Sequence, residues 1–207
     1  MSRQTQSRPR CAATYDPTRD NAAVFLDRDG TLIEEVGYLD RPDRVGLYPY
    51  SIAAIRALNR AGLRVILTSN QSGIARGFFD EAMVQAVHTH VAALLAAGGA
   101  RLDAYYYCPH HPDGRVAGYA RHCECRKPGR GLVDRAVHEF NVDPLRSYTV
   151  GDRWLDVKLA ANVGAKGILV RTGYGALEEQ RQPPDVQPDA VVNNLIDAVG
   201  WILARRS

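Results

Sequence analysis

The stretch Val24-Phe25-Leu26-Asp27-Arg28-Asp29-Gly30-Thr31 decides how the rest of the chain is read. An apolar run enters it and has the length and composition of a buried strand. The run breaks into two carboxylates one residue apart, at positions that share a side while the strand lasts. Gly30 then allows a sharp turn. Two acids held together in a sheltered crevice can coordinate a hard cation such as Mg²⁺. They can also divide chemistry, one attacking as a nucleophile and the other carrying a proton. Taken alone, the same letters describe a strand followed by an Asp-Gly turn, so the rest of the chain must decide.

Outward from this stretch, short apolar runs alternate with amphipathic ones. Strands are expected at residues 22–26, 64–67, 102–107, 147–150, 167–170 and 190–192. Helices are expected at residues 51–61, 81–97, 129–140, 156–163 and 195–204, with Asp80 as the cap of the second. Residues 32–48 form an irregular excursion, 68–73 a polar loop, 108–128 an irregular insertion and 173–188 a Gly/Pro-rich loop. This alternation predicts an α/β fold: a Rossmann-like parallel sheet with helices on both faces. No segment is large enough to form a cap domain over the sheet. Residues 1–20 are polar without period and read as a disordered or loosely attached tail, Cys11 included, leaving 21–207 as a single domain.

Right-handed crossovers place all strand carboxyl ends along one edge, where ligands of such folds bind. Asp27, Asp29, Ser69, Asn70 and Asp152 each follow a strand and should converge there. A third acid beside Asp27 and Asp29 would repel them unless a divalent cation, Mg²⁺, joined the group; the competing reading of Asp152 is a helix N-cap. Lys127, next to Arg126, brings positive charge. Together these groups suit phosphoryl transfer, with Asp27 attacking, Ser69 and Lys127 neutralising the phosphoryl oxygens, and Asp29 protonating the leaving oxygen and then activating water.

The insertion carries Cys108-Pro109-His110-His111 and Cys123-Glu124-Cys125, two close pairs separated by twelve residues. Cys108, His110, Cys123 and Cys125 suit a closed tetrahedral Zn²⁺ site. His110 matches the one-residue spacing of the second pair better than His111, with His122 as a further stand-in; a disulfide is the alternative. Such a zinc is structural and would fold a coreless loop while delivering Arg126 and Lys127 to the crevice. On helix 81–97, His88 and His90 have no partner at matched spacing and read as structural or surface residues.

Asp27-x-Asp29-Gly30-Thr31, Ser69, Lys127 and Gly151-Asp152-x-x-x-Asp156 resemble, in order, the four signature motifs of the haloacid dehalogenase-like phosphatases. The resemblance spans residues 22–172. It implies Mg²⁺ dependence, a phospho-aspartate on Asp27, and acid/base work by Asp29. It implies that the metal is held by Asp27, by the backbone carbonyl of Asp29, and by Asp152. The Cys-Pro-His-His-Pro, Cys-x-Cys-Arg-Lys-Pro and Ser69-to-Gly77 runs are similar to the subgroup of heptose 1,7-bisphosphate 7-phosphatases and histidinol-phosphate phosphatases, with the long zinc loop and Gly37-Tyr38 closer to the heptose enzymes. That subgroup implies removal of the 7-phosphate of a heptose bisphosphate, histidinol phosphate being the rival substrate. It also implies a substrate site lined by Glu35, Val36, Gly37, Tyr38, Ser69, Asn70, Gln71, Ser72, Arg126 and Lys127. Arg126 is the candidate for the distal phosphate, a plain surface position being its alternative. Arg153, beside Asp152, has no role in this scheme.

A formal net charge of +3 over 207 residues makes no case for nucleic-acid binding. No apolar run spans a membrane and the N-terminal residues do not read as a secretory signal, so a cytoplasmic monomer acting on a small sugar phosphate is expected. A non-catalytic zinc module for protein or nucleic acid is the reading from another class.

Overall fold

The structure is a computed structural model and describes residues 21–206. The tail expected at residues 1–20 lies outside them. Six strands form one sheet: β1 (Ala23–Leu26), β2 (Arg64–Asn70), β3 (Ala104–Cys108), β4 (Tyr148–Gly151), β5 (Lys166–Val170) and β6 (Ala190–Val192). All five pairings are parallel and the order is β3-β2-β1-β4-β5-β6. The helices are α1 (Ser51–Arg60), α2 (Gly73–Arg76), α3 (Glu81–Ala97), α4 (Gly131–Phe140), α5 (Trp154–Val163), α6 (Gly175–Glu179) and α7 (Leu195–Leu203).

The two-residue period of β1 divides the core. Val24 and Leu26 join Val65, Leu67, Val150 and Ile168 against α1, α3 and α7. Ala23 and Phe25 join Ile66 and Tyr106 against α4 and α5 on the other face. Both faces are thus covered, as a parallel sheet requires. Local chemistry sets the helix ends. The Asp80 side chain accepts from the Met83 N–H at 2.9 Å and caps α3, as expected from the sequence. No helix among the described residues is long and apolar enough to cross a membrane.

Three local expectations are corrected. β2 does not end at Leu67 but runs to Asn70, because β3 supplies partners for its polar end: Thr68 faces Tyr106, Ser69 faces Tyr107 and Asn70 faces Cys108. Residues 73–76 form the single turn α2. The loop expected at 173–188 holds α6, anchored where the Trp154 indole donates to the Glu178 carbonyl at 2.7 Å.

The chain runs outward from β1 through β2 to β3, then crosses back to place β4 on the other side of β1. The crevice between the carboxyl ends of β1 and β4 is therefore the switch point of the sheet, the position where such folds take ligands.

Candidate active site

Asp27 is the first residue past β1, and its N–H still donates to the Val150 carbonyl at 2.9 Å, tying it to β4. Asp152 follows β4. The turn between them is tight: Gly30 has φ +75°, and a Cβ there would lie 2.2 Å from the Asp152 carboxylate. Only glycine meets both conditions. Asp152 is 1 % exposed, and its carboxylate accepts from the Tyr174 N–H at 2.8 Å. It is not the helix cap considered for it. Arg153 occupies that position, and its backbone N–H donates to Asp156 Oδ2 at 3.3 Å. The Arg153 guanidinium also lies 4.0 Å over the Tyr174 ring.

Carboxylate oxygens of Asp27, Asp152 and Asp156 all lie within 4.8 Å of one another. One ammonium pairs with two of them, Asp27 and Asp156. Lys127 is 3 % exposed, and its Nζ is 3.0 Å from Asp27 Oδ1 and 2.6 Å from Asp156 Oδ1, and donates to the Thr68 carbonyl at 2.8 Å. Those contacts use all three of its N–H groups. Burial works against this ammonium, but Asp156 and Asp27 outweigh it and push its pKa up. Burial pushes the Asp27 carboxyl well above the usual carboxylate range; Lys127 opposes the shift and the charges of Asp156 and Asp29 add to it. Burial, then the Asp27 charge, does the same to Asp152. The cluster is short of positive charge. Its all-oxygen donor set fits Mg²⁺, which a few carboxylates and water can hold.

Asp29 turns elsewhere. Its carboxylate takes the Arg28 fork, with Nε at 3.1 Å and Nη2 at 3.0 Å from Oδ1, and accepts from Gln71 Nε2 at 3.1 Å. Gln71 Nε2 also donates to Ser69 Oγ at 2.7 Å. The Asn70 amide spans the backbone of Lys127, donating to its carbonyl at 3.1 Å and accepting from its N–H at 2.9 Å. Ser72 precedes α2 and is half-buried.

The excursion after β1 brings the remaining candidates. Glu35 is half-buried, accepts from the Gly37 N–H at 2.6 Å, and has its carboxyl pushed up by burial. Val36 packs against the core. Tyr38 meets Phe78 edge-on, 4.5 Å between centroids, and both rings are about half exposed. Arg126 donates to the His110 carbonyl at 3.3 Å; burial lowers its pKa, and the Arg76 charge lowers it further.

Cys108, His110, Cys123 and Cys125 place four donor atoms within 4.8 Å of one another. Cys123 Sγ is 3.4 Å from Cys108 Sγ and 3.3 Å from Cys125 Sγ, and His110 Nδ1 is 3.4 Å from Cys125 Sγ. These three cysteines are free, so the disulfide alternative is not what the structure contains. Three thiols and an imidazole of this compactness suit the zinc tetrahedron, whose edges are about 3.7 Å for metal–sulfur bonds of about 2.3 Å. The cluster could hold Zn²⁺ through His110, the histidine matched by spacing.

Two residues of the site escape sequence reasoning. Asp156 was visible as a motif letter, but its place against Lys127 was not. Arg28, 1 % exposed, had no signal at all: a charge between two acids reads as a surface residue.

A HAD-hydrolase-like family model matches residues 124–198. The D-glycero-beta-D-manno-heptose-1,7-bisphosphate 7-phosphatase of Yersinia pestis is 42% identical over 190 residues, covering 91% of this chain and 98% of that protein. The D-glycero-D-manno-heptose-1,7-bisphosphate 7-phosphatase of Thermosynechococcus vestitus is 46% identical over 186 residues, covering 87% and 94%. The crystal structure of D,D-heptose 1,7-bisphosphate phosphatase from B. bronchiseptica, complexed with magnesium and phosphate, superposes with a TM-score of 0.78 at 33% identity, covering 89% of this chain and 99% of that one.

Proposed function

The chain belongs to the haloacid dehalogenase-like phosphatases, and from that premise we propose that it removes the 7-phosphate of D-glycero-D-manno-heptose 1,7-bisphosphate through an aspartyl-phosphate on Asp27. The observation that carries the chemistry is the set of three clustered carboxylates at the switch point of the sheet, two of them, Asp27 and Asp156, paired with one buried lysine. The relatives' substrate supplies the sugar.

Asp27 Oδ1 accepts from Lys127 and from the Arg28 N–H at 2.7 Å, which leaves Oδ2 to attack phosphorus in line with the sugar oxygen. Asp29 stands two residues on; in its protonated form it would give its proton to the departing oxygen, and the resulting carboxylate, held by Arg28 and Gln71, would take a proton from the hydrolytic water. Ser69 supplies a hydroxyl to a phosphoryl oxygen, and Lys127 lends charge from beneath. Asp27, the Asp29 carbonyl and Asp152 would hold Mg²⁺, with Asp156 fixing Lys127 rather than the ion. When bound, the metal supplies charge neutralisation for the phosphoryl oxygens and lets Asp27 stay ionised. Zinc at the four-residue cluster would be structural. It would brace the loop whose His110 carbonyl accepts from Arg126, the planar fork for the distal phosphate. Tyr38 and Phe78 offer an aromatic ledge to the apolar face of the sugar.

The test is phosphate release with Mg²⁺ from both anomers of the heptose 1,7-bisphosphate, fructose 1,6-bisphosphate and histidinol phosphate. The proposal expects a heptose bisphosphate to give the highest kcat/KM, with heptose 1-phosphate as product. Faster turnover of histidinol phosphate would replace the substrate assignment while keeping the chemistry.

A further inference from the structure

The geometry points to Arg28 and Gln71 as positioning residues that join the proton carrier Asp29 and Ser69, the hydroxyl that binds a phosphoryl oxygen, into one hydrogen-bonded unit. This inference rests on the aspartyl-phosphate reading above and adds to it two residues that touch neither phosphorus nor metal.

Arg28 has only donors. Its Nη2 lies 3.0 Å from Gln71 Oε1, which fixes which end of the amide faces it. The Gln71 NH₂ group is thereby turned the other way, onto Asp29 Oδ2 at 3.1 Å and Ser69 Oγ at 2.7 Å. Ser69 Oγ must accept that bond, so its own proton is left for a partner on its other side. The Arg28 fork and Gln71 meanwhile hold the Asp29 carboxylate from two directions. Arg28, Ser69 and Gln71 are 1 %, 1 % and 4 % exposed. Water cannot easily replace these bonds, and charge-assisted bonds of this kind are the strong ones. The orientation of two groups that act at different moments of the reaction is therefore set by one amide.

Chemistry inverts the usual order of conservative and drastic substitutions here. Gln71→Glu keeps the shape and still accepts from Arg28. It presents a carboxylate to Asp29, and it draws the Ser69 proton toward itself and away from the crevice. Gln71→Ala removes the amide and leaves both groups without it, but brings in no opposing charge. The unit predicts that Gln71→Glu is slower than Gln71→Ala by about tenfold or more in kcat, with KM changed by less than about threefold. It also predicts that Ser69→Ala and Gln71→Ala together lose less than the product of their separate losses. Arg28→Lys keeps the charge without the fork and should lower kcat by about tenfold or more.

The experiment is steady-state kinetics of these variants on D-glycero-β-D-manno-heptose 1,7-bisphosphate with Mg²⁺, per folded molecule by circular dichroism and zinc content. Gln71→Glu equal to or faster than Gln71→Ala, multiplicative losses in the double variant, or wild-type kcat in Arg28→Lys would each overturn the unit. Should Gln71→Glu not fold, the double variant and Arg28→Lys still decide. Asp27→Asn is run alongside: turnover surviving there removes the aspartyl-phosphate reading itself, whereas a dead Asp27→Asn beside a fast Gln71→Glu removes only the positioning unit.

Discussion

Lys127→Met should destabilise the Mg²⁺-free protein sharply, and by an amount that depends on pH and on Mg²⁺. At an effective dielectric of about 20, charges 3.0 and 2.6 Å apart attract by about 5 and about 6 kcal/mol, the spacings of Lys127 to Asp27 and to Asp156. Desolvation of each buried ion, several kcal/mol, offsets most of that gross attraction. Removing the lysine alone leaves the carboxylates buried, and breaking such a pair costs about 3–5 kcal/mol. The Thr68 carbonyl also loses its donor. Methionine keeps most of the volume, so little of the loss comes from a cavity. The carboxylates can escape the cost by taking up protons, so the loss should be smaller at pH 5.5 than at pH 8. Magnesium should reduce it too, by supplying the missing charge. The assay is urea unfolding followed by tryptophan fluorescence, with and without Mg²⁺, in metal-scavenged buffer rather than strong chelator so that zinc stays in place. A loss below about 1 kcal/mol at pH 8 without Mg²⁺ would refute the view that one ammonium holds this acidic cluster together.

Cys123→Ala should lose its zinc and lower phosphatase activity by about 100-fold or more while circular dichroism of the sheet and helices persists; full activity without zinc would detach the loop from catalysis. His88, 1 % exposed between the Tyr105 and Tyr107 rings, has its pKa lowered to about 3 by burial and by the Arg28 charge. The unfolded chain takes up a proton near pH 6.5 that the folded one refuses, so stability falls as pH falls through that window. His88→Leu should therefore lose about 2 kcal/mol less than wild type between pH 6.5 and pH 5 in urea titrations, and equal losses would contradict it. Asp27 and Asp152 act in the opposite sense: with their carboxyls raised, stability present at low pH is lost as pH rises through the raised values. Mg²⁺ should accordingly raise the melting temperature several degrees more at pH 8 than at pH 5.5, and equal shifts would speak against ion binding at these carboxylates.

The architecture was legible because β1 is a fully apolar run, β5 carries Ile168-Leu169-Val170 and β4 is short and buried, and because α3 between them opens on the Asp80 cap. The convergence of Asp27 and Asp152 followed from topology alone, once the strands were parallel. What stayed hidden depends on contacts between distant segments. β2 extends through Thr68-Ser69-Asn70 because Tyr106, Tyr107 and Cys108 lie beside it, and polar letters there looked like a loop. α6 is only five residues long and is held by Trp154, far away in sequence. Within the site, Asp29 and Asp156 each sit beside another carboxylate in the motifs, and nothing in their spacing says which carboxylate faces Lys127. Arg28 decides the matter by drawing Asp29 toward itself, a pairing between neighbours that burial makes strong. Arg153 gains a place in the structure, as the cap of α5 and the cation over Tyr174, without gaining a catalytic role.

The central claim is that phosphate passes through Asp27. Enzyme mixed with Mg²⁺ and the heptose 1,7-bisphosphate, quenched in acid within the first turnovers, can be treated with borohydride, which reduces an acyl phosphate to the alcohol. Peptide mass spectrometry should find that reduction at Asp27, with Asp29, Asp152 and Asp156 unmodified. Reduction at another carboxylate, or none while phosphate is being released, would contradict the account.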